Sequence, residues 1–135
     1  MKIYLAGSID YEMQQGKRSE AKIWRDEFSK KLKEYGFEIS DPMVREYQQE
    51  NESLIPIADK TEILKCDVIL VNYLRPSVGT SMEIMFGYIN NKIIILINKT
   101  ATPLSPWITV HCNQIVSTFE EALSSLLWLR NNDRN

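Results

Sequence analysis

The feature that most constrains this chain is a set of short apolar runs without polar alternation, spaced by helix-periodic segments. Ile93-Ile94-Ile95-Leu96-Ile97 and Val68-Ile69-Leu70-Val71 are apolar at every position. A strand with one face in water would alternate, so both faces of these strands must be covered. Lys2-Ile3-Tyr4-Leu5-Ala6, stopped by Gly7, reads as a first buried strand. Phe37-Glu38-Ile39, closed by Asp41-Pro42, reads as a second, and Gln114-Ile115-Val116 as a short last one. Between them, Ala21, Trp24, Phe28, Leu32 and Tyr35 recur at steps of three and four, one face of a helix ended by Gly36. Further helices are expected over 55–65, over 80–90 and after Thr118, where Thr118 and Glu121 have capping-box spacing. The polar stretch 8–19 reads as a loop, and no element is assigned to 43–52. Strands alternating with amphipathic helices predict an α/β fold with a mostly parallel sheet covered on both sides. At 135 residues there is room for one such core, a single domain.

Charge narrows the choice of ligand. Sixteen Lys and Arg against 18 Asp and Glu leave a formal net charge of -2, which gives no general attraction to a nucleic-acid polymer. A small phosphorylated ligand needs only a few local donors and is not excluded. Cys66 and Cys112 are the only cysteines and are expected as buried, reduced thiols of a cytoplasmic protein. With His111 the only histidine, a histidine-rich metal site is hard to build. The start of the chain lacks a signal-peptide pattern, and its longest apolar run, Ile93 to Ile97, is far too short to span a bilayer, so no membrane partner is expected.

In a parallel α/β sheet, ligands bind beyond the carboxyl ends of the strands. The loops there are 7–19, 41–53, 73–79 and 98–107. Gly7-Ser8 lacks the further glycines of a dinucleotide fingerprint and the Gly-Lys-Ser/Thr of a P-loop, so Gly7 is either a turn glycine or part of a smaller cradle. Gly79-Thr80-Ser81-Met82-Glu83 has two readings. Thr80 and Glu83 fit a capping box in the first turn of a helix; alternatively Glu83 is a carboxylate held at the crevice to attack an electrophilic carbon. Asp59 sits on a helix pointing along the same edge, and two converging carboxylates suit glycosidic-bond chemistry. Asp67 reads as a strand-edge residue. Trp24 and Trp128 read as core or interface, and Trp107 as packing or stacking.

Taken in order, Ile3-Tyr4-Leu5-Ala6-Gly7-Ser8-Ile9, Trp24-Arg25, Asp59 with Asp67, Pro76-Ser77-Val78-Gly79-Thr80-Ser81-Met82-Glu83 and Leu104-Ser105-Pro106-Trp107-Ile108 resemble the nucleoside 2-deoxyribosyltransferase superfamily. That superfamily includes the 2′-deoxynucleoside 5′-phosphate N-hydrolases, and the resemblance spans about 1–108. It implies a flavodoxin-like, doubly wound sheet of mostly five parallel strands over 1–130, followed by a polar tail at 131–135. It also implies cleavage of the bond between a nucleobase and its sugar, with no cofactor. Glu83 would be the nucleophile, Tyr4 would orient it, and Asp59 would protonate or hold the base. Gly7, Ser8, Ile9, Ser77, Gly79, Thr80, Ser105 and Trp107 would line the substrate, a nucleoside or nucleotide. Ser77 stands where transferases carry an aspartate, and Ser8 and Ser105 match serines that hydrolases place around a 5′-phosphate, Ser105 from a partner subunit of a homodimer. This leans towards a monophosphate N-hydrolase. Against it, Asp10 replaces the hydrolases' arginine, and the transferases' C-terminal aromatic residue is missing, which keeps base transfer open. A non-catalytic nucleotide sensor is the further alternative.

Overall fold

The computed structural model describes residues 1–44 and 52–132, apart from the side chain of Asp10. Its sheet has five parallel strands: β1 (Lys2–Ala6), β2 (Glu38–Ser40), β3 (Val68–Tyr73), β4 (Ile93–Asn98) and β5 (Gln114–Val116). Their order is β2-β1-β3-β4-β5. That is the flavodoxin-like doubly wound arrangement, with its topological switch between β1 and β3. The helices are α1 (Asp10–Gln14), α2 (Arg18–Glu34), α3 (Leu54–Leu64), α4 (Val78–Ile89), α5 (Pro106–Thr109) and α6 (Phe119–Asn132).

Strand periodicity divides the core into two layers. Ile3 and Leu5 of β1 face one way, packed with Trp24, Phe28 and Leu32 of α2 and with Phe119, Ala122 and Leu126 of α6. Tyr4 and Ala6 face the other way, with Ile63 of α3, Ile84 of α4 and Ile108 of α5. Both layers share β3 and β4, which explains the unbroken apolar runs Val68–Val71 and Ile93–Ile97 within them. Gly87 matters here, because a Cβ at that position of α4 would collide with the Ile69 side chain of β3. Glycine therefore lets α4 lie close on the sheet.

Several local expectations meet the structure directly. Gly36 has φ +90° and ends α2. Thr118 Oγ1 accepts the Glu121 N–H and donates to the Glu121 carboxylate, closing the start of α6. Others are corrected. The stretch read as a loop over 8–19 contains α1, whose five residues are too few for a periodic signal. Asn131 and Asn132, expected in a polar tail, belong to α6, while 133–135 lie outside the described residues. Trp128 is exposed and outside the core, whereas Trp24 is buried in it as expected. Most of the unassigned 43–52 segment also lies outside the described residues.

One buried cation ties together the carboxyl edge of the sheet. Arg25 of α2 is 0% exposed. It donates to the Leu5 carbonyl at 3.0 Å, the Gly7 carbonyl at 2.9 Å and Asp41 Oδ1 at 3.1 Å. Its guanidinium also lies 4.6 Å from the centre of the Trp24 ring. Asp41 in turn accepts the Met43 N–H. Replacing Arg25 with Met strands the buried Asp41 carboxylate and two carbonyls. We expect Arg25→Met to lower unfolding free energy by about 3–5 kcal/mol in urea denaturation; an unchanged midpoint would contradict this assignment.

Candidate active site

Because Tyr4 is the residue of β1 that faces α3 and α4, its hydroxyl points to where those helices pass the sheet. It donates a hydrogen bond to Glu83 Oε2 of α4. Tyr4 is fully buried, and burial is the largest influence raising its pKa far above the ordinary tyrosine value. The Glu83 charge raises it further, then the Asp59 charge and the hydrogen bond to Glu83, while Arg25 opposes. The negative charge of Asp59, on α3, is therefore felt at the Tyr4 hydroxyl. The hydrogen bond brings Tyr4 and Glu83 together at one edge of the sheet.

Glu83 does not close a capping box. Ser77 is the N-cap of α4, with extended backbone at φ -149° and ψ 131°, and its Oγ accepts the Thr80 N–H at 3.4 Å. The helix therefore starts at Val78, three residues earlier than a Thr80 cap would require. That puts Glu83 in the second turn, beyond reach of the orphan N–H groups. Thr80 is buried inside the helix, its hydroxyl without a hydrogen-bond partner. Gly79 sits at the helix start in open space.

The loop after β1 departs most from expectation. Gly7 is held tightly, since a Cβ there would meet the Trp24 ring at 2.6 Å. Ser8, expected at a substrate phosphate, is 3% exposed and donates to Glu12 Oε2 at 2.6 Å. Glu12 of α1 is 1% exposed and also accepts from Arg75 Nη1, from the loop after β3. The Arg75 guanidinium lies 4.3 Å from the centre of the Tyr11 ring. Sequence reasoning missed Glu12, although its place four residues after Ser8 is one helical turn. Ile9 is the N-cap residue of α1.

Ser105 and Trp107 stand apart from this group. Ser105 caps α5, its Oγ accepting the Trp107 N–H at 3.2 Å. Both line a cavity of about 360 Å³ with Tyr73, Pro76, Ser81 and Leu104, and none of Tyr4, Asp59 or Glu83 reaches it. Trp107 is 72% exposed, so it is not core packing.

The rest of the chemistry is bounded. Burial pushes both Cys66 and Cys112 up to about 11, so each is a protonated thiol at neutral pH. Among the described residues, no group of three His, Cys, Asp or Glu side chains could hold a metal ion. No helix among them is long and apolar enough to cross a membrane. What remains is a carboxylate oriented by a neutral phenol, with a second carboxylate close by.

No protein-family model and no curated protein sequence matches the chain. Solved structures do share its fold. A 2-deoxyribosyltransferase from Bacillus psychrosaccharolyticus superposes with a TM-score of 0.69 at 20% identity, over 90% of each chain. A conserved protein of Enterococcus faecalis V583 gives 0.67 at 14% identity, over 95% of this chain and 98% of that one. A CMP N-glycosidase of Clostridium botulinum gives 0.58 at 24% identity, over 93% of this chain and 98% of that one. The likeness is one of fold: the same flavodoxin-like sheet over nearly the whole length.

Since Tyr4 keeps its proton in the folded state but loses it near pH 10 when unfolded, stability should fall as pH rises above about 10. We expect Tyr4→Phe to flatten that fall in chemical denaturation. It should also leave the tyrosinate absorbance gained by the folded protein below about pH 12 unchanged. Loss of one tyrosinate equivalent on that substitution would contradict the buried, neutral Tyr4.

Proposed function

We propose that this chain cleaves the N-glycosidic bond of a (2′-deoxy)nucleoside-type substrate through Glu83. The observation that carries the reading is the Tyr4 hydroxyl donating to Glu83 Oε2, with Asp59 close enough to act on the same phenol. Donation from Tyr4 orients the carboxylate for attack on the anomeric carbon. The bond from that carbon to the base nitrogen breaks as the carbon–oxygen bond to Glu83 forms. The departing electron pair stays on the base, which takes a proton from Asp59 or is held by it. Positive charge growing on the sugar is stabilised by the Glu83 carboxylate as it attacks. Water attacks the anomeric carbon, giving its proton to the Asp59 carboxylate left by the first step. The bond to Glu83 breaks, which completes hydrolysis; attack by a second base instead completes transfer. Tyr4 stays neutral throughout and positions Glu83 without exchanging its proton.

The structural neighbours agree in kind: by name, one is a 2-deoxyribosyltransferase serving nucleoside synthesis and another a CMP N-glycosidase. In our reading Ser105 and Trp107 act on the site of a second copy, since within one chain they line a separate cavity. The exposed apolar residues Val78, Met82 and Ile89 of α4, with Trp107 and Val110, supply surface for a homodimer. A 5′-monophosphate substrate would call on Ser8, Ser77 and Ser105. Ser77 and Ser105 each accept a backbone N–H and keep a hydroxyl hydrogen to donate, whereas the Ser8 hydrogen is committed to Glu12.

The test is chromatography of deoxynucleosides and their 5′-monophosphates after incubation with the protein, with and without an added free base. We expect base release, and a new nucleoside if transfer operates. Glu83→Gln should lower the rate by about a thousandfold or more, and Asp59→Asn by about a hundredfold. No base released from any substrate, or a folded Glu83→Gln protein at full activity, would overturn the reading.

A further inference from the structure

The helix that carries Asp59 is fastened to the sheet through its last turn. Ile63 is the one buried side chain of α3, whereas Leu54, Ile57 and Leu64 are exposed. Lys92 Nζ donates to the Leu64 carbonyl at 3.0 Å and so closes the end of the helix. On its flank, Lys60 Nζ lies 5.9 Å from the centre of the Phe86 ring of α4. The remaining tie is Glu62. Its Oε2 accepts from Ser40 Oγ at 3.1 Å and lies 3.9 Å from Lys2 Nζ. Ser40 pairs with Tyr4 across β2 and β1, so both side chains stand on the face that α3 covers. Ser40 is buried there, and its bond to Glu62 joins β2 to α3 one strand away from the Tyr4 phenol.

We propose that Glu62 is a positioning residue of the candidate site: by joining Ser40 of β2 to α3, it fixes where Asp59 stands relative to Tyr4 and Glu83. This rests on the Glu83 cleavage reading for what Asp59 does. Asp59 and Glu62 are three positions apart, neighbours on one side of the helix, so a shift of one carries the other. One buried apolar side chain leaves a helix free to slide or turn on the sheet, because apolar burial is non-directional. A hydrogen bond from a strand has a direction and fixes rotation and depth together. Lys2 adds little, since its contact with Glu62 is long and part-exposed. Placement matters because displacing a catalytic group by about 1 Å costs up to about a hundredfold in rate.

Kinetics and hydrogen exchange test this together. In base release, Glu62→Ala should lower kcat by about tenfold, with KM changed by less than about twofold. Ser40→Ala should act alike. Glu62→Gln keeps an oxygen to accept the Ser40 hydrogen and should recover most of the loss. In an Asp59→Asn background, Glu62→Ala should cost less than about twofold, because the group it positions is gone. A merely structural Glu62 would cost the same factor in both backgrounds. Without substrate, amide exchange over 54–64 should quicken by about tenfold in Glu62→Ala, while that of α4 stays unchanged. The proposal is overturned if kcat stays within about twofold of the unsubstituted protein, if the Asp59 and Glu62 losses multiply, or if exchange over α3 is unaltered. Should the unsubstituted protein release no base, the cleavage reading fails and exchange alone decides: quickening keeps Glu62 as the anchor of α3, and unaltered exchange overturns it.

Discussion

A guanidinium with no access to solvent organises the edge of the sheet where the candidate site lies. Removing an arginine from water is costly, and Asp41 and two main-chain carbonyls replace the hydration of the Arg25 terminal nitrogens, while the buried Nε has no hydrogen-bond partner. Those partners come from the end of β1, the turn after it and the turn after β2. One side chain of α2 therefore sets the path of the chain on both sides of Tyr4. The backbone that leads from Tyr4 to Ser8 and Glu12 is held at Leu5 and Gly7.

From that anchor the rest follows by strand geometry. Alternation along β1 sends Ile3 and Leu5 to the α2 and α6 layer and Tyr4 to the α3 and α4 layer. Gly87 lets α4 lie close on β3, and Ser77 starts the helix early enough to put Glu83 in its second turn. The result is a neutral, buried phenol donating to a carboxylate at the sheet edge. An ionised tyrosine in that place would repel Glu83 and Asp59 together, which is why burial and charge act in the same direction on its proton.

Much of this was legible in the sequence where the information is periodic. Unbroken apolar runs announced β3 and β4 as strands covered on both faces, and the three-and-four spacing from Ala21 to Leu32 announced α2. Asp59 and Glu83 could be singled out as acids on helices expected to meet the ligand edge of the sheet, and Tyr4 through the resemblance of its strand to the family's. What stayed hidden has no period. Arg75 meets Glu12 across 63 positions of sequence, a pairing that only the β1–β3 register creates. The Ser8 to Glu12 contact depends on α1, five residues long, in a stretch that reads as polar loop. Thr80 and Glu83 matched a capping box by spacing, but Ser77 took the cap because extended backbone after Pro76 put its hydroxyl within reach of the Thr80 N–H.

The central claim is that the Glu83 carboxylate becomes covalently attached to the sugar. A 2′-fluoro-2′-deoxyarabinosyl nucleoside tests it directly, because the electron-withdrawing fluorine slows release of the sugar from the ester. After incubation and proteolysis, mass spectrometry should find one fluorinated pentosyl group on the peptide that contains Glu83, and none in Glu83→Gln protein. A protein that releases base from unmodified substrates yet carries the adduct on another residue, or carries none, would contradict the account.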